Sequence, residues 1–157
     1  MATLKTHLDE KDVQILALLQ EDGRMTHAEI GKRIDLSAPS VFQRVKSLEK
    51  SGIIRSYAAL LDQDRLGLRL IAWVHISLQL HQEQPIEKFR KAIQEIPQIM
   101  ECYHISGDSD FMLKVVVRDI REYEKFMRET LLKVKSVGQV RTSFVLGTTK
   151  STTKIPL

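Results

Sequence analysis

Cysteine is nearly missing from this chain. Cys102 stands alone among 157 residues, so no disulfide can form within it, and a reducing, cytoplasmic setting is expected. No apolar run is long enough to cross a bilayer, and the opening residues MATLKTHLDEKD hold no apolar signal region; no membrane partner is expected. Metal-ligand spacing is missing too. His7, His27, His75, His81 and His104 form no ligand pattern with one another or with Cys102. His75 and His81 share a strand face but lie too far apart to hold one ion without further ligands. They read as surface or interface histidines. There is no nucleophile elbow, phosphate loop or dinucleotide fingerprint, so no cofactor is expected. Nor does one charge dominate. The formal net charge is +4, with 28% charged and 43% hydrophobic residues, the make-up of one medium folded domain or two small ones.

What is present is concentrated. Between Ile30 and Ser56 lie six bases (Lys32, Arg33, Arg44, Lys46, Lys50, Arg55) and two acids (Asp35, Glu49). That local surplus equals the charge of the whole chain, so the remainder is balanced. A basic patch on a near-neutral body suits specific DNA binding better than general stickiness.

The same segment carries the punctuation of two short helices. Thr26 and Glu29 form a capping box, and Ile30 and Ile34 share one apolar face. Asp35-Leu36 breaks the run. Ser37 suits the N-cap of the next helix, where Pro39 is tolerated in the first turn. Val41, Val45 and Leu48 mark its buried stripe, and Gly52 ends it as a left-handed residue. Ser40, Gln43, Arg44, Lys46, Ser47 and Lys50 are left pointing outward. An earlier helix, capped by Asp9 and ended by Gly23, brings Val13, Ile15, Leu16, Leu18 and Leu19. Three helices of this kind build a helix-turn-helix, whose last helix enters the major groove.

Ile53 to Leu61 is short and β-prone, and Asp62 to Gly67 is a polar turn. Beyond it the period changes. Ala72, Val74, Ile76, Leu78 and Leu80 face one way, and Trp73, His75, Ser77 and Gln79 the other. Ile86, Phe89, Ile93 and Ile96 follow a helical period that Pro97 stops. Ile99 to Ser106 and Phe111 to Val117 are strands around a tight Gly107-Asp108-Ser109-Asp110 connection. Ile120, Tyr123, Phe126, Met127 and Leu131 form a second helical stripe, and Val140 to Leu146 a last strand. The fold class is α+β. A helix-turn-helix spans 1–54, a linker with a short strand 55–69, and a β-α-β-β-α-β ferredoxin-like domain 70–157. Ile71, Trp73, Met112 and Val116 make the sheet's far face partly apolar, which predicts sheet-to-sheet dimerisation.

The chain resembles the Lrp/AsnC family, the leucine-responsive or feast/famine regulators of bacteria and archaea, over nearly its full length. The resemblance is carried by Leu8 to Asp12 with Ile15-Leu16, Leu19 to Arg24, Leu36-Ser37, Arg44-Val45, Leu48-Glu49, Gly52-Ile53-Ile54, Tyr57-Ala58-Ala59, Gly107 to Phe111 and Thr152 to Leu157. Each is weak; their order and spacing are specific. Asp35 departs from the family's usual glycine before Leu-Ser, but Asp also visits the left-handed region, so the turn is expected to survive. The resemblance implies a transcriptional regulator acting on double-stranded DNA. It implies effector domains that dimerise and assemble further, often to octamers, and a small effector, usually an amino acid, held near the Gly107 to Phe111 loop.

The expected DNA-contacting set is Ser37, Ser40, Gln43, Arg44, Lys46, Ser47, Lys50 and Arg55. Ser40, Gln43 and Arg44 are expected on base edges or nearby phosphates, and Lys46, Lys50 and Arg55 on phosphates, which position without reading sequence. On residue chemistry alone Gly107 to Asp110 is a hairpin turn; the resemblance makes it an effector loop. The expected effector set is Gly107, Asp108, Ser109, Asp110, Phe111, Thr142 and Ser143. Asp108 or Asp110 can meet an ammonium, and backbone N–H groups around Gly107 a carboxylate. Either aspartate can equally cap the turn or pair with a base of a neighbouring subunit. From Lys133 to Lys154 there are five bases and no acid, which fits DNA wrapping or a solvated end with inter-subunit contacts. The runner-up function is a siroheme decarboxylase-like enzyme on the same two-domain build, with His75, His104 and Arg118 as candidates to hold and protonate a tetrapyrrole.

Overall fold

Asp9 opens the first helix. Its carboxylate accepts from the Asp12 N–H at 2.8 Å and the Asp12 carboxylate accepts from the Asp9 N–H at 3.2 Å, a reciprocal box that satisfies two orphan donors. The computed structural model describes residues 8–79 and 83–157, with 83–85 as backbone only; the expectations placed on His7, Leu80 and His81 lie outside the described residues. Helix α1 runs Glu10–Glu21, α2 His27–Ile34 and α3 Ala38–Lys50. Ile15, Leu16, Ile30, Ile34, Val41, Val45 and Leu48 form their shared core, the residues that the helical period selects.

The turn between α2 and α3 is held by two backbone features. Asp35 takes the left-handed conformation at φ 56°, as expected of a glycine substitute, and the Leu36 N–H donates to the Gly31 carbonyl at 2.9 Å. Gly31 has no room for a side chain, because a Cβ there would sit 2.3 Å from the Leu36 carbonyl oxygen.

The second sequence period gives β1 (Leu70–Leu78), α4 (Glu83–Gln94), β2 (Ile99–His104), β3 (Phe111–Val117), α5 (Ile120–Glu129), a 3-10 turn (Leu131–Lys133) and β4 (Val137–Phe144). The sheet is antiparallel in the order β2-β3-β1-β4, so the split β-α-β topology is present. Ala72, Val74, Ile76 and Leu78 of β1 meet Phe111, Leu113, Val115 and Val117 of β3 on the helix side, with Phe89, Ile93, Tyr123, Phe126 and Leu131 above them. On the other side Ile71, Trp73 and Met112 remain half-exposed, and Val116 is buried.

The chain divides into two units: one up to Leu60 that also takes Lys150–Leu157, and one from Leu61 to Thr149. Three features differ from the sequence reading. The β-prone run from Ile53 to Leu61 forms no strand, because among the described residues no neighbouring strand bonds it. The last strand begins at Val137, three residues early, where Gly138 fits against the Ser77 carbonyl; a Cβ there would come within 2.9 Å of it. The tail 150–157 belongs to the first unit, not the second. The Ile155 N–H donates to the Gln20 side-chain carbonyl at 2.6 Å, the Gln20 amide returns a bond to the Ile155 carbonyl at 3.1 Å, and Lys154 pairs with Glu21 at 3.3 Å.

Candidate nucleic-acid interface and effector loop

Helix α3 is fixed at its start by the Ser37 hydroxyl, which accepts from the Ser40 N–H at 3.3 Å. Pro39 in the first turn lacks the N–H that would otherwise be an orphan. With Val41, Val45 and Leu48 turned inward, Gln43, Lys46, Ser47 and Lys50 are exposed on the opposite side. An amide, a hydroxyl and two ammonium groups on one helix face suit adenine edges and phosphates. Of the expected set, Ser37 caps the helix with its hydroxyl and Ser40 stands half-buried in the first turn. Arg55 is exposed beyond the end of α3, in a shallow cleft beside Tyr57 and the tail residues Ile155 and Leu157.

Arg44 is placed differently from the expectation. Its guanidinium reaches back to α1 and bonds the Asp9 carboxylate at 2.6 Å and the Asp12 carboxylate at 2.7 Å. These two bonds, Asp9's first, raise the guanidinium pKa above its usual value. The Asp9 carboxyl is held below the ordinary carboxylate range, chiefly by the Asp12 N–H and then by Arg44. Arg44 therefore clamps α1 to α3 rather than reaching outward. A periodic count could not show this, since position 44 lies at the border between the buried stripe and the outward face.

Phe42 is the residue the sequence reading passed over. It is 44% exposed on α3, edge-on to the His27 ring at 5.5 Å, with the Lys46 ammonium 5.9 Å from its centroid. An exposed aromatic beside the polar face offers an apolar contact of the kind a thymine methyl takes. Its signal was an apolar residue outside the i, i+4 stripe.

The Gly107 to Asp110 loop is pinned to the end of β1. The Asp110 N–H donates to the Ile76 carbonyl at 2.9 Å, its carboxylate accepts from the Leu78 N–H at 2.7 Å, and its carbonyl accepts from the Ile105 N–H at 3.0 Å. Asp110 thus anchors the loop. Asp108 is exposed at the loop's outer edge, its carbonyl accepting from the Ser77 hydroxyl at 3.4 Å. Gly107 has φ 118°, a conformation that favours glycine, with open space where a Cβ would be. Ser109 is half-buried between them.

Three members of the expected effector set stand elsewhere. Phe111 is 1% exposed, stacked on His104 at 4.9 Å and tilted against Phe89 at 4.7 Å; it is core. The Thr142 hydroxyl bonds the Tyr123 hydroxyl at 2.5 Å on the helix side, and Ser143 pairs with Trp73 on the far face. Thr142 and Ser143 sit opposite Val74 and Trp73, two to five residues along β1 from the loop's anchor points at Ile76 and Leu78. The β4 residue opposite Ser77, beside the loop, is the exposed Gln139. It lies before Val140, in the part of β4 that the alternation of the sequence does not mark.

The residues named for tetrapyrrole chemistry do not converge. His75 pairs with Met112 on the far face, His104 pairs with Phe111 on the core face, and Arg118 follows β3 at the opposite end of the sheet. Among the described residues no group of three or more metal-binding side chains comes together, and no helix is long and apolar enough to cross a membrane.

A capped helix-turn-helix followed by a β-α-β-β-α-β domain with an anchored loop defines a DNA-binding regulator carrying a ligand-binding domain. Residues 8–55 match the winged helix-turn-helix DNA-binding model, and residues 71–155 match that of the Lrp/AsnC ligand binding domain. The leucine-responsive regulatory protein of Escherichia coli K12 is 38% identical over 94% of this chain and 90% of its own. The transcriptional regulator AzlB of Bacillus subtilis is 35% identical over 96% of each. Among solved structures, a transcriptional regulator of Neisseria meningitidis in complex with L-Met superposes with a TM-score of 0.91 at 35% identity, over 95% of this chain and 96% of that one. The chain belongs to the Lrp/AsnC family of transcriptional regulators. The tetrapyrrole-enzyme alternative finds no support among these relatives.

Proposed function

We propose that the chain binds DNA through the Gln43, Lys46, Ser47 and Lys50 face of α3, with Phe42 beside it, and that an amino acid bound at the Gly107 to Asp110 loop shifts its assembly or domain arrangement. The observation that carries the reading is the solvent face of α3, polar and basic on a helix that is capped and packed on both its neighbours. The effector class is argued from the neisserial relative's L-Met complex and the leucine-responsive relatives. Asp108, exposed on the loop, suits the ammonium by a charge-assisted bond. Open backbone at Gly107 suits the carboxylate, and Gln139 flanks both. Copies dimerise through the far sheet face around Ile71, Trp73 and Met112, and dimers assemble further. Each dimer then presents two α3 helices to half-sites about 34 Å apart or a multiple of it. The effector acts by preferring one state, so that populations shift.

The test is binding to the DNA upstream of the chain's own gene, across a salt series, with and without each common amino acid. Tight, salt-dependent binding that one amino acid shifts is the expected result. Equal affinity for that DNA and a scrambled duplex, unmoved by every amino acid, overturns the reading.

A further inference from the structure

On the helix side of the second unit a pocket of about 530 Å³ opens between α4, the 3-10 turn and the start of β4. It shares no residue with the Gly107 to Asp110 loop, although Gln79 in its lining directly follows Leu78, to which that loop is anchored. Its volume is in the range of small-molecule sites. Three elements each bring a lysine to it: Lys88 from α4, Lys133 from the 3-10 turn and Lys135 from the connection to β4. Among the described residues no carboxylate lines it, and none of the three lysines enters an ion pair. Ala92, Val134 and the lysine stems supply apolar wall, since a lysine covers apolar surface with its methylenes while its ammonium stays in water.

Gln79, Thr130 and Ser136 complete the lining, and the Ser136 hydroxyl is buried without a hydrogen-bond partner among the described residues. Such groups are rare in native proteins, because a buried unsatisfied hydroxyl has given up water for nothing. A serine χ1 moves between staggered positions at small cost, so the hydroxyl can turn to an acceptor placed in the pocket. A cationic rim, an unsatisfied donor and an apolar wall ask for one kind of ligand: an acceptor-rich anionic head on a short hydrocarbon body.

We propose that this pocket is a second ligand site of the regulator, for a small aliphatic carboxylate, with Lys88, Lys133 and Lys135 around the carboxylate, Ser136 donating to it, and Ala92 and Val134 against the chain. Lysine suits the task because three flexible ammonium groups can follow a carboxylate without fixed geometry. The back wall of the site is tied to β1, as the Gln79 N–H donates to the Ser136 carbonyl at 3.1 Å.

The test is isothermal titration calorimetry of the full chain with hexanoate, with hexanol and inorganic phosphate as comparison probes. Hexanoate is expected to bind saturably. The Lys133→Gln/Lys135→Gln variant is expected to weaken it about fivefold or more, as the loss of two partly screened charge contacts requires. Ser136→Ala weakens it further with the thermal midpoint kept. Hexanol is expected to bind weakly or not at all, and so is phosphate. Four results overturn the proposal: no saturable heat with hexanoate, hexanol binding as tightly as hexanoate, phosphate binding as tightly, or hexanoate affinity unchanged in both variants. Should the double lysine variant fail to fold, Lys88→Gln and Ser136→Ala decide the matter in the same way.

Discussion

Arg44, expected on base edges or nearby phosphates, is held by carboxylates at the start of α1. Its neighbour Gln43 points to solvent, while Arg44, 31% exposed, holds Asp9 and Asp12 on α1. Gln43→Ala should therefore lower affinity for a specific operator by about 1–3 kcal/mol, the worth of a bidentate base contact, with no change in melting temperature. Arg44→Ala should lower the melting temperature, with a cost of up to about 1 kcal/mol for a partly exposed pair, and should weaken operator and random DNA alike. Gel-shift titrations beside thermal melts separate the two. At Gly31 the obstacle is backbone. A methyl there meets the Leu36 carbonyl, so Gly31→Ala should cost about 1–3 kcal/mol by overpacking, read as a lower urea midpoint. Asp108 and Asp110 divide the same way. Asp108→Asn should weaken the amino-acid effector by about 1.5–3 kcal/mol, the range for a hydrogen bond to a charged group, at unchanged stability. Asp110→Asn should disturb both, because its carboxylate also holds the Leu78 N–H.

Elements whose signals are local were legible in the sequence. Thr26 with Glu29, Ser37 with Ser40, and the left-handed Asp35 and Gly52 all act through neighbours three or four residues away, so their residue types suffice to find them. The apolar stripes of α3 and β1 were legible for the same reason. Register was not. Whether β4 starts at Val137 or Val140 depends on a close approach between Gly138 and Ser77, some 60 residues apart in the chain, and with the register went Gln139. The side-chain commitments of Thr142 and Phe111 also depend on distant partners, Tyr123 and Phe89. The local caps carry a pH signature. The Glu29 carboxyl is held below its ordinary value by the Thr26 hydroxyl and then by the Thr26 N–H. A group depressed in the folded state contributes stability that is present above its unfolded pKa and is lost as pH falls through the folded one. Stability of the helix-turn-helix unit should thus hold from neutral pH down to about 4 and decline below it. Thermal melts from pH 7 to pH 3 check this. Glu29→Gln should flatten the acid limb, and an equally steep limb in that variant would move the effect to other carboxylates.

At the scale of the molecule, the sheet has one finished face and one unfinished. The helix side is closed by Phe89, Tyr123, Phe126 and Leu131. The other side leaves Ile71, Trp73 and Met112 half-covered around the Lys114–Glu101 pair at 2.9 Å. An incompletely covered face of that kind, apolar around a central ion pair, offers a two-fold partner the same surface on both copies. Trp73→Arg should give a monomer by light scattering at micromolar concentration, with the far-UV spectrum kept. A dimer of that variant would place the contact elsewhere.

The tail that folds back on α1 bears on how the molecule is made. Its first unit is assembled from both ends of the chain, since Gln20 and Glu21 wait for Lys154 and Ile155. A ribosome adding roughly 5–20 residues each second takes roughly 5–20 seconds to travel from the linker to that tail. Throughout that interval the Leu16 and Leu19 surface lacks Ile155 and Leu157, which line the same cleft. The second unit, contiguous from Leu61 to Thr149, has all its strands before the first is complete. A released chain that ends just short of Lys150 should therefore lose its DNA-binding helices to proteases sooner than its sheet domain, which keeps all four strands.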